Sequence, residues 1–382
     1  SATGNVLLQA QGNLTINAAV SSSTANISAL AATDVVLSAT GSLSTATTGT
    51  IDVEATSGNV TMFAGTQLST SGQNIRVKAG QNIVLGLLDA RTATDRAGGT
   101  VTTQSSWGKI SLNAGGSITT APVPVNAFGA AVRLTAANGL GSDASSLYLQ
   151  SLLVSAAAGT GGIQLAAAAG DFTVDTVDKV PANRVQADGS IIVVEDAANQ
   201  SDVVTTGGNG KIILFTLDGS ITVNDGTPTD TIGVNANGSG TILLQAKGEG
   251  KTVTLNAKLK SGSGDVTVQA GTLAADLATK VDTGGDFNAL SGVNNLFNAV
   301  LSGEVEWVGQ GPVQTTGGQV QGLDDQGKPV SGAIAAVAID PNDPAVMYVA
   351  TVNGGIWKTT NINATRILEF NDPAKSAGPT TI

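Results

Sequence analysis

The chain has 382 residues, no Cys and no His, only 12 % charged residues and a formal net charge of −11. Those counts exclude thiolate and imidazole chemistry, and with it zinc, haem, Ser–His and Cys–His centres. The 18 basic residues form no run, so an acidic chain of this kind is a poor partner for nucleic acid. Hydrophobic residues reach 41 % and aromatics only 3 %, which predicts a thin core of Ala, Val, Ile and Leu. A long repeat array needs no disulfides, and no apolar run is long enough to span a bilayer. The chain begins at Ser1 with neither Met nor an apolar leader, as expected of a processed form or an excised fragment.

From the N-terminus, a seven-residue phrase recurs: small or Gly, any residue, aliphatic, polar, aliphatic, polar, Ala. It reads GNVLLQA from Gly4, GNLTINA from Gly12, GTIDVEA from Gly49, GNVTMFA from Gly58, QNIRVKA from Gln73 and GKISLNA from Gly108. AAVRLTA from Ala130, GTILLQA from Gly240, KTVTLNA from Lys251 and GDVTVQA from Gly264 continue it. Alternation with period two is a half-buried strand. The inward set is Val6, Leu8 and Ala10, then Leu14, Ile16 and Ala18. Longer echoes, such as Gly49 onward with Gln73 onward, give a super-period of roughly two dozen residues, or three short strands. An antiparallel sandwich would favour tight NG or DG hairpins. Near-equal strands, Gly corners and a coil-length echo instead predict a parallel β-helix, right-handed by the crossover rule. Residues 1–284 form this shaft, with about 24 residues per coil, about 12 coils and a length on the order of 60 Å.

Two stretches break the pattern, Leu87 to Gly98 and Val177 to Asp188, and are expected to leave the coil as loops. Near residue 285 the period changes. Leu290, Val293, Leu296, Phe297 and Val300 follow helical spacing, predicting a short C-terminal helical cap over 285–302 that would shield an open sheet edge. Residues 303–382 differ in composition, with Trp307, Pro312, Pro329 and Trp357, and read as a linker followed by a smaller β unit.

Carboxylate clusters are the only candidate chemistry, because β-helical lyases and hydrolases use carboxylates for acid–base work or calcium. They are Asp171, Asp175 and Asp178 with Lys179 and Arg184; Asp218, Asp225 and Asp230; and Asp324 with Asp325. Solvated turns explain them more simply. Trp107, Phe128 and Tyr148 either stack on sugars or pack locally. GGNGK from Gly207 to Lys211 lacks the phosphate-loop spacing and reads as a corner. The residues thus predict no catalytic, metal or cofactor site.

The phrases from Gly4 to Ala270 resemble the repeats of filamentous-haemagglutinin-type and related giant bacterial adhesins, whose shafts are right-handed β-helices. Gly332 to Asn361 resembles the opening blade of a sialidase-like, Asp-box β-propeller of large bacterial exoproteins. Asp340 to Pro344 takes the place of its turn, Met347 to Thr351 of its Tyr-Val strand, and Gly354 to Thr360 of its GG-x-W-K-T-T run. The chain departs from that family at Asn361, Ile362 and Asn363, where an Asp and a Gly are expected. It has only one blade, and no glycosidase residues carry over. These resemblances imply a non-enzymatic structural or adhesive module of a large secreted cell-surface protein, extracellular, in a stalk or filament. The implied partners are copies of itself, further segments of its parent, or surface glycans. Strand addition of the tail (Met347, Tyr348, Val349, Trp357) onto an open first coil (Val6, Leu8) is the expected mode of assembly. A carbohydrate-active β-helix protein and a binding module with a truncated propeller are the alternatives.

Overall fold

A five-residue strand with one apolar face cannot stand alone, because its backbone groups and its aliphatic side both need partners. The chain supplies them one coil away. In the computed structural model, which describes residues 2–98, 104–142, 144–227, 230–273, 276–291, 308–309, 334–340, 346–351 and 355–359, Val6–Ala10 pairs in parallel with Ile27–Ala31. The same ladder continues through Ile51–Ala55, Ile75–Ala79 and Ile110–Ala114. A second ladder passes through Leu14, Val35, Val60, Ile83, Ile118, Leu140, Ile163, Ile212, Ile242, Val266 and Phe287, eleven rungs among the described residues. A third begins Val20, Leu43, Leu68, Leu88, Ala127 and Leu149. The first of two compact units, residues 1–296, is therefore a parallel β-helix with three short strands per coil.

The coil length varies around the expected value. Asp52 and Arg76, 24 residues apart, are neighbours, as are Asn126 and Tyr148 at 22 and Asn74 and Lys109 at 35. Eleven rungs at about 4.8 Å give a stack on the order of 50 Å. This is shorter than the sequence spacing suggested, because two insertions consume residues without adding rungs.

Beyond the first coil most phrases bury the residues that alternation assigns to them; Ala64 at the end of GNVTMFA is exposed, because its strand stops at Met62. Ile51, Val53 and Ala55, with Ile75, Val77 and Ala79 above them, are buried in one continuous core. Val6 and Leu8 in the first rung are only half-buried. Ala18 is a correction: it is exposed, because the strand Leu14–Ile16 has ended and Ala18 lies in the corner before Ala19–Ser22. At several phrases the opening Gly is required by close stacking. A Cβ at Gly49 would lie 1.9 Å from the Ala25 carbonyl oxygen, and one at Gly108 would lie 2.0 Å from that of Gln73. Later, the 10-residue strand Ala127–Ala136 and the 12-residue strand Leu147–Ala158 join the third ladder to the first without a break.

The second position of the phrase, read as free, is often an amide, and the structure gives it work. The Asp34 Oδ1 accepts from the Asn59 amide at 2.7 Å, the Asn59 Oδ1 from the Asn82 amide at 3.1 Å, and the Asn82 Oδ1 from the Ser117 amide at 2.9 Å. A stacked side-chain ladder thus ties successive corners together.

Three further expectations are corrected. Leu87–Asp89 is a third-ladder strand; the chain leaves the coil only afterwards, into the short helix Ala93–Gly98. The second excursion is longer than 177–188 and is ordered, as described below. Leu290 belongs to the strand Phe287–Ser291, which adds one more rung on Val266–Ala270, so coil pairing outweighs the helical spacing there. Val293, Leu296, Phe297 and Val300 lie outside the described residues. The second unit, residues 297–382, contains an antiparallel sheet ordered Val308–Gly309, Gly355–Thr359, Met347–Thr351, Ile334–Ile339.

Gly49→Ala should lower stability by about 2–3 kcal/mol through backbone overlap. Gly12→Ala, where nothing lies within 4 Å of the added carbon, should change it by less than ~0.5 kcal/mol. Urea unfolding of the two variants checks the contrast.

Candidate functional site

Outward positions of the first ladder should face water. Ser28, Asp52, Arg76, Ser111, Arg133 and Ser155 are successive register partners on that outer face, yet all six are buried. A strap covers them. Residues 175–202 leave the shaft after Phe172–Val174 and return at Val203–Thr205, and between them Ala182–Val185 pairs antiparallel with Ile191–Val194.

The strap runs back along the stack toward the N-terminal coils, with polar contacts from the level of Arg133 down to that of Ser28, while the Ser155 hydroxyl is buried without a hydrogen-bond partner. The Thr135 hydroxyl donates to the Gln200 side-chain oxygen at 2.9 Å, and the Gln200 amide donates to the Leu134 carbonyl at 2.9 Å. Arg133 donates to the Ala198 carbonyl at 2.6 Å and pairs with Asp196 at 3.4 Å. The Ser111 hydroxyl donates to Asp196 at 2.8 Å. The Asn74 side chain donates to the Pro181 carbonyl at 2.9 Å, and the Val185 amide donates to the Ser28 hydroxyl at 2.9 Å.

The centre of the contact is a charge network of Asp52, Glu54, Arg76 and Arg184, with Lys78 3.8 Å from Glu54 at its edge. Arg184 Nε donates to Asp52 Oδ2 at 2.6 Å and its Nη2 donates to Glu54. Arg76 Nη1 reaches Asp52 Oδ1 at 2.7 Å and Glu54 Oε2 at 3.1 Å. Burial alone would raise the Glu54 carboxyl, but hydrogen bonds and charge from Arg184 and Arg76 hold it below its ordinary value. Burial likewise opposes the Arg184 charge, and Asp52 and Glu54 overcome it, raising that guanidinium. Two carboxylates and two guanidinium groups satisfy one another where an unpaired charge would be costly. Sequence reasoning placed Arg184 in a cluster with Asp171, Asp175 and Asp178; its partners are Asp52 and Glu54, more than a hundred residues earlier. The available signal was a line of charged residues at outward positions of successive phrases, Asp52, Arg76 and Arg133.

The candidate acidic residues do not group as their spacing suggested: Asp175, Asp225 and Asp230 lie close enough to Asp202 for their charges to act on it, and the individual side chains bond as follows. Asp171 Oδ1 accepts from the Ser220 amide of the next coil at 2.9 Å. Asp175 Oδ2 accepts from the Asn224 side chain at 2.9 Å, whose oxygen accepts from Asn256 at 2.8 Å. Asp178 pairs with Lys109 at 2.8 Å, Lys179 with Glu195, and Asp218 with Lys251 at 3.4 Å. Asp230 caps the Ile232 amide at 2.9 Å. Asp324 and Asp325 lie outside the described residues. Among the described residues, no three acidic side chains are placed to hold a metal ion.

Asp202, where the strap rejoins the coil, was missed. Its φ is 67°, it is 8 % exposed, and its Oδ1 is buried without a hydrogen-bond partner, as is the Oδ1 of Asp225. Burial, with the charges of Asp230, Asp225 and Asp175, pushes its carboxyl up to about 7. Only its φ is unusual for an L residue, and a sequence does not display it.

The aromatics form two packed pairs. Trp107 donates its indole N–H to Asp95 at 2.6 Å and meets Phe128 edge-on, with centroids 6.3 Å apart and Arg91 3.9 Å above the Phe128 ring. Tyr148 meets Phe215 edge-on at 6.2 Å. The Gly207 to Lys211 run is a corner between the strands Val203–Thr205 and Ile212–Thr216, with Gly208 at a φ of 58°. Beside the strap, Gln9, Leu30, Glu54, Thr56 and Arg184 line a cleft of about 240 Å³, smaller than the roughly 300–1,000 Å³ of small-molecule sites.

Met347, Tyr348 and Val349 lie in a strand paired on both edges, and so does Trp357. None of these strands offers an edge for addition. Among the described residues, the sheet's edge strands are Val308–Gly309 and Ile334–Ile339; in the longer of them Ile334, Val337 and Ile339 are exposed. Comparison with protein-family models, with curated proteins and with solved structures finds no match.

Arg184→Ala leaves Asp52 only its bond to Arg76, and should cost about 3 kcal/mol, the low end for a broken buried pair. It should also expose the strap tip at residues 186–189 to protease, read as a new cleavage in limited proteolysis.

Asp202 holds its proton in the folded chain up to about pH 7 and, unfolded, only to 3.8. Its contribution is therefore fully present below about pH 4 and is lost as the pH rises through 7. Asp202→Asn keeps the left-handed backbone accessible. Relative to wild type, it should gain roughly 2–4 kcal/mol on going from pH 4 to pH 8, measured by urea unfolding at both values.

Proposed function

We propose that this chain is a structural or adhesive module of a large secreted bacterial cell-surface protein, with the β-helix as a rigid stalk or filament shaft. One observation supports this reading best. The carboxylates that a β-helical lyase or hydrolase would need are instead bonded between coils or to the strap, Asp171 to Ser220, Asp175 to Asn224 and Asp178 to Lys109. A stack whose polar residues join one coil to the next resists bending and shear. Its sparse charge and lack of Cys suit a long extracellular element that needs no disulfides.

Assembly by strand addition fits the same reading, through the Ile334–Ile339 edge. Electron microscopy of the purified chain should reveal filaments or rods, and deletion of residues 332–382 should abolish any end-to-end joining. Cleavage of acidic polysaccharide that disappears in Asp171→Asn or Asp175→Asn would contradict the proposal and favour an enzyme.

A further inference from the structure

The strap leaves and rejoins the shaft through one narrow neck. The Val177 amide donates to the Gln200 carbonyl at 2.8 Å, and the Gln200 amide donates back to the Val177 carbonyl at 2.9 Å. The hydroxyls of Thr176, on the way out, and Ser201, on the way back, lie 2.8 Å apart. Both accept from the Thr227 amide of the next coil, each at 2.9 Å. Three segments of the chain are thus fastened together by small neutral contacts.

Four carboxylates surround this clasp. Asp175 adjoins Thr176, Asp202 adjoins Ser201, and Asp225 and Asp230 flank Thr227. Asp175 accepts from the Thr176 amide and the Asn224 side chain, and Asp230 from the Ile232 amide. Asp202 and Asp225 are left short, since one oxygen of each is buried with no hydrogen-bond partner. Asp202 is also held in place, because its carbonyl accepts from the Ala156 amide at 2.9 Å. The charges that act on its carboxyl, from Asp230, Asp225 and Asp175, are all negative. Lys258 lies two coils beyond, opposite Ile232, and is not among them. A charge at Asp202 therefore has neither water nor a cation to relieve it.

We propose that the neck is a pH-operated latch, closed while Asp202 is the neutral acid and opened when it ionises. The ionised carboxylate repels Asp175 across the neck, and Asp225 and Asp230 across the coil boundary. The strain is released when residues 198–202 lift from the corner and the carboxylate reaches water. Ala198 and Gln200, which cover Arg133 and Thr135, move with that root and uncover this part of the outer face. The far end stays docked, because Arg184 remains paired with Asp52 and Glu54.

The two ends answer pH in opposite directions. Asp202, raised to about 7, favours the closed neck in acid and withdraws that support as the pH rises through 7. Glu54, held below its ordinary value, supports the docked tip above the carboxylate range and withdraws that support only in acid. Raising the pH thus peels the strap from its root and leaves its tip in place.

Hydrogen exchange of the full chain at about pH 5.5 and about pH 8.5, corrected for the intrinsic pH dependence of exchange, reads the latch. The amides of Val177 and Gln200 should lose protection by roughly tenfold or more at the higher pH. The Val185 amide, bonded to Ser28 at the docked end, should keep its protection. Asp202→Asn stays neutral and should abolish the loss at Val177 and Gln200. Asp188→Asn removes a strap carboxylate outside the neck and should leave that loss intact. Equal wild-type protection at the two pH values, a loss that survives in Asp202→Asn, or a loss shared equally by Val185 and the coil strands overturns the inference.

Discussion

Every side chain in the shaft is governed by the parallel register between successive coils. Because Ile51 sits on Ile27 and Ile75 on Ile51, like stacks on like: aliphatics form inner columns, amides form corner ladders, and charges form outer lines. Stacked identical aliphatics are a dry core with little shape to specify. Stacked amides are a hydrogen-bond chain, as Asp34, Asn59 and Asn82 demonstrate. Stacked charges are a liability unless their signs alternate. Asp52 below Arg76 obeys that condition within the ladder itself.

The strap extends the same logic. A line of outward charges and hydroxyls can remain in water or be covered by a segment that bonds to most of it. Residues 175–202 take the second course and bring their own charge, Arg184, to the two carboxylates that Arg76 leaves partly satisfied. Asp52 and Glu54 are then each engaged by both Arg76 and Arg184, and removing either guanidinium leaves buried carboxylate charge less fully paired. The segment rejoins the coil less comfortably. At Asp202 a left-handed backbone and three neighbouring carboxylates coincide, and the chain takes up a proton there instead of a cationic partner.

Much of the fold was legible in the sequence because it is local and periodic. Alternation in GTIDVEA and QNIRVKA identifies the strand and its inner face, and the echo at about two dozen residues identifies the coil. Beyond the first coil, the Gly at the head of the phrase marks a corner where a Cβ would strike the coil before it, as at Gly49 and Gly108. What the repeat could not convey is contact across unrelated spacings. Nothing near Arg184 in the sequence points to Asp52, and the grouping with Asp171 and Asp175 followed proximity along the chain. The second position of the phrase looked unconstrained because Asn, Asp, Thr and Lys all occur there, although a side chain stacked at a corner can bond the next coil. Leu290 misled for the opposite reason: five apolar residues at helical spacing formed a persuasive pattern, but the open edge of Val266–Ala270 took the first of them into another strand.

The central claim is that the strap lies on the charged face of the shaft, at the level of Asp52. A chain without Cys permits a direct measurement by disulfide trapping. Asn183 and Thr50, 133 residues apart, are joined by a backbone-to-hydroxyl hydrogen bond of 2.8 Å. The double variant Asn183→Cys with Thr50→Cys should cross-link rapidly on mild oxidation, giving a faster-migrating species on a non-reducing gel. If that pair stays reduced while the neighbouring-coil pair Asn59→Cys with Asn82→Cys closes under the same conditions, the strap does not occupy this face and the account is wrong.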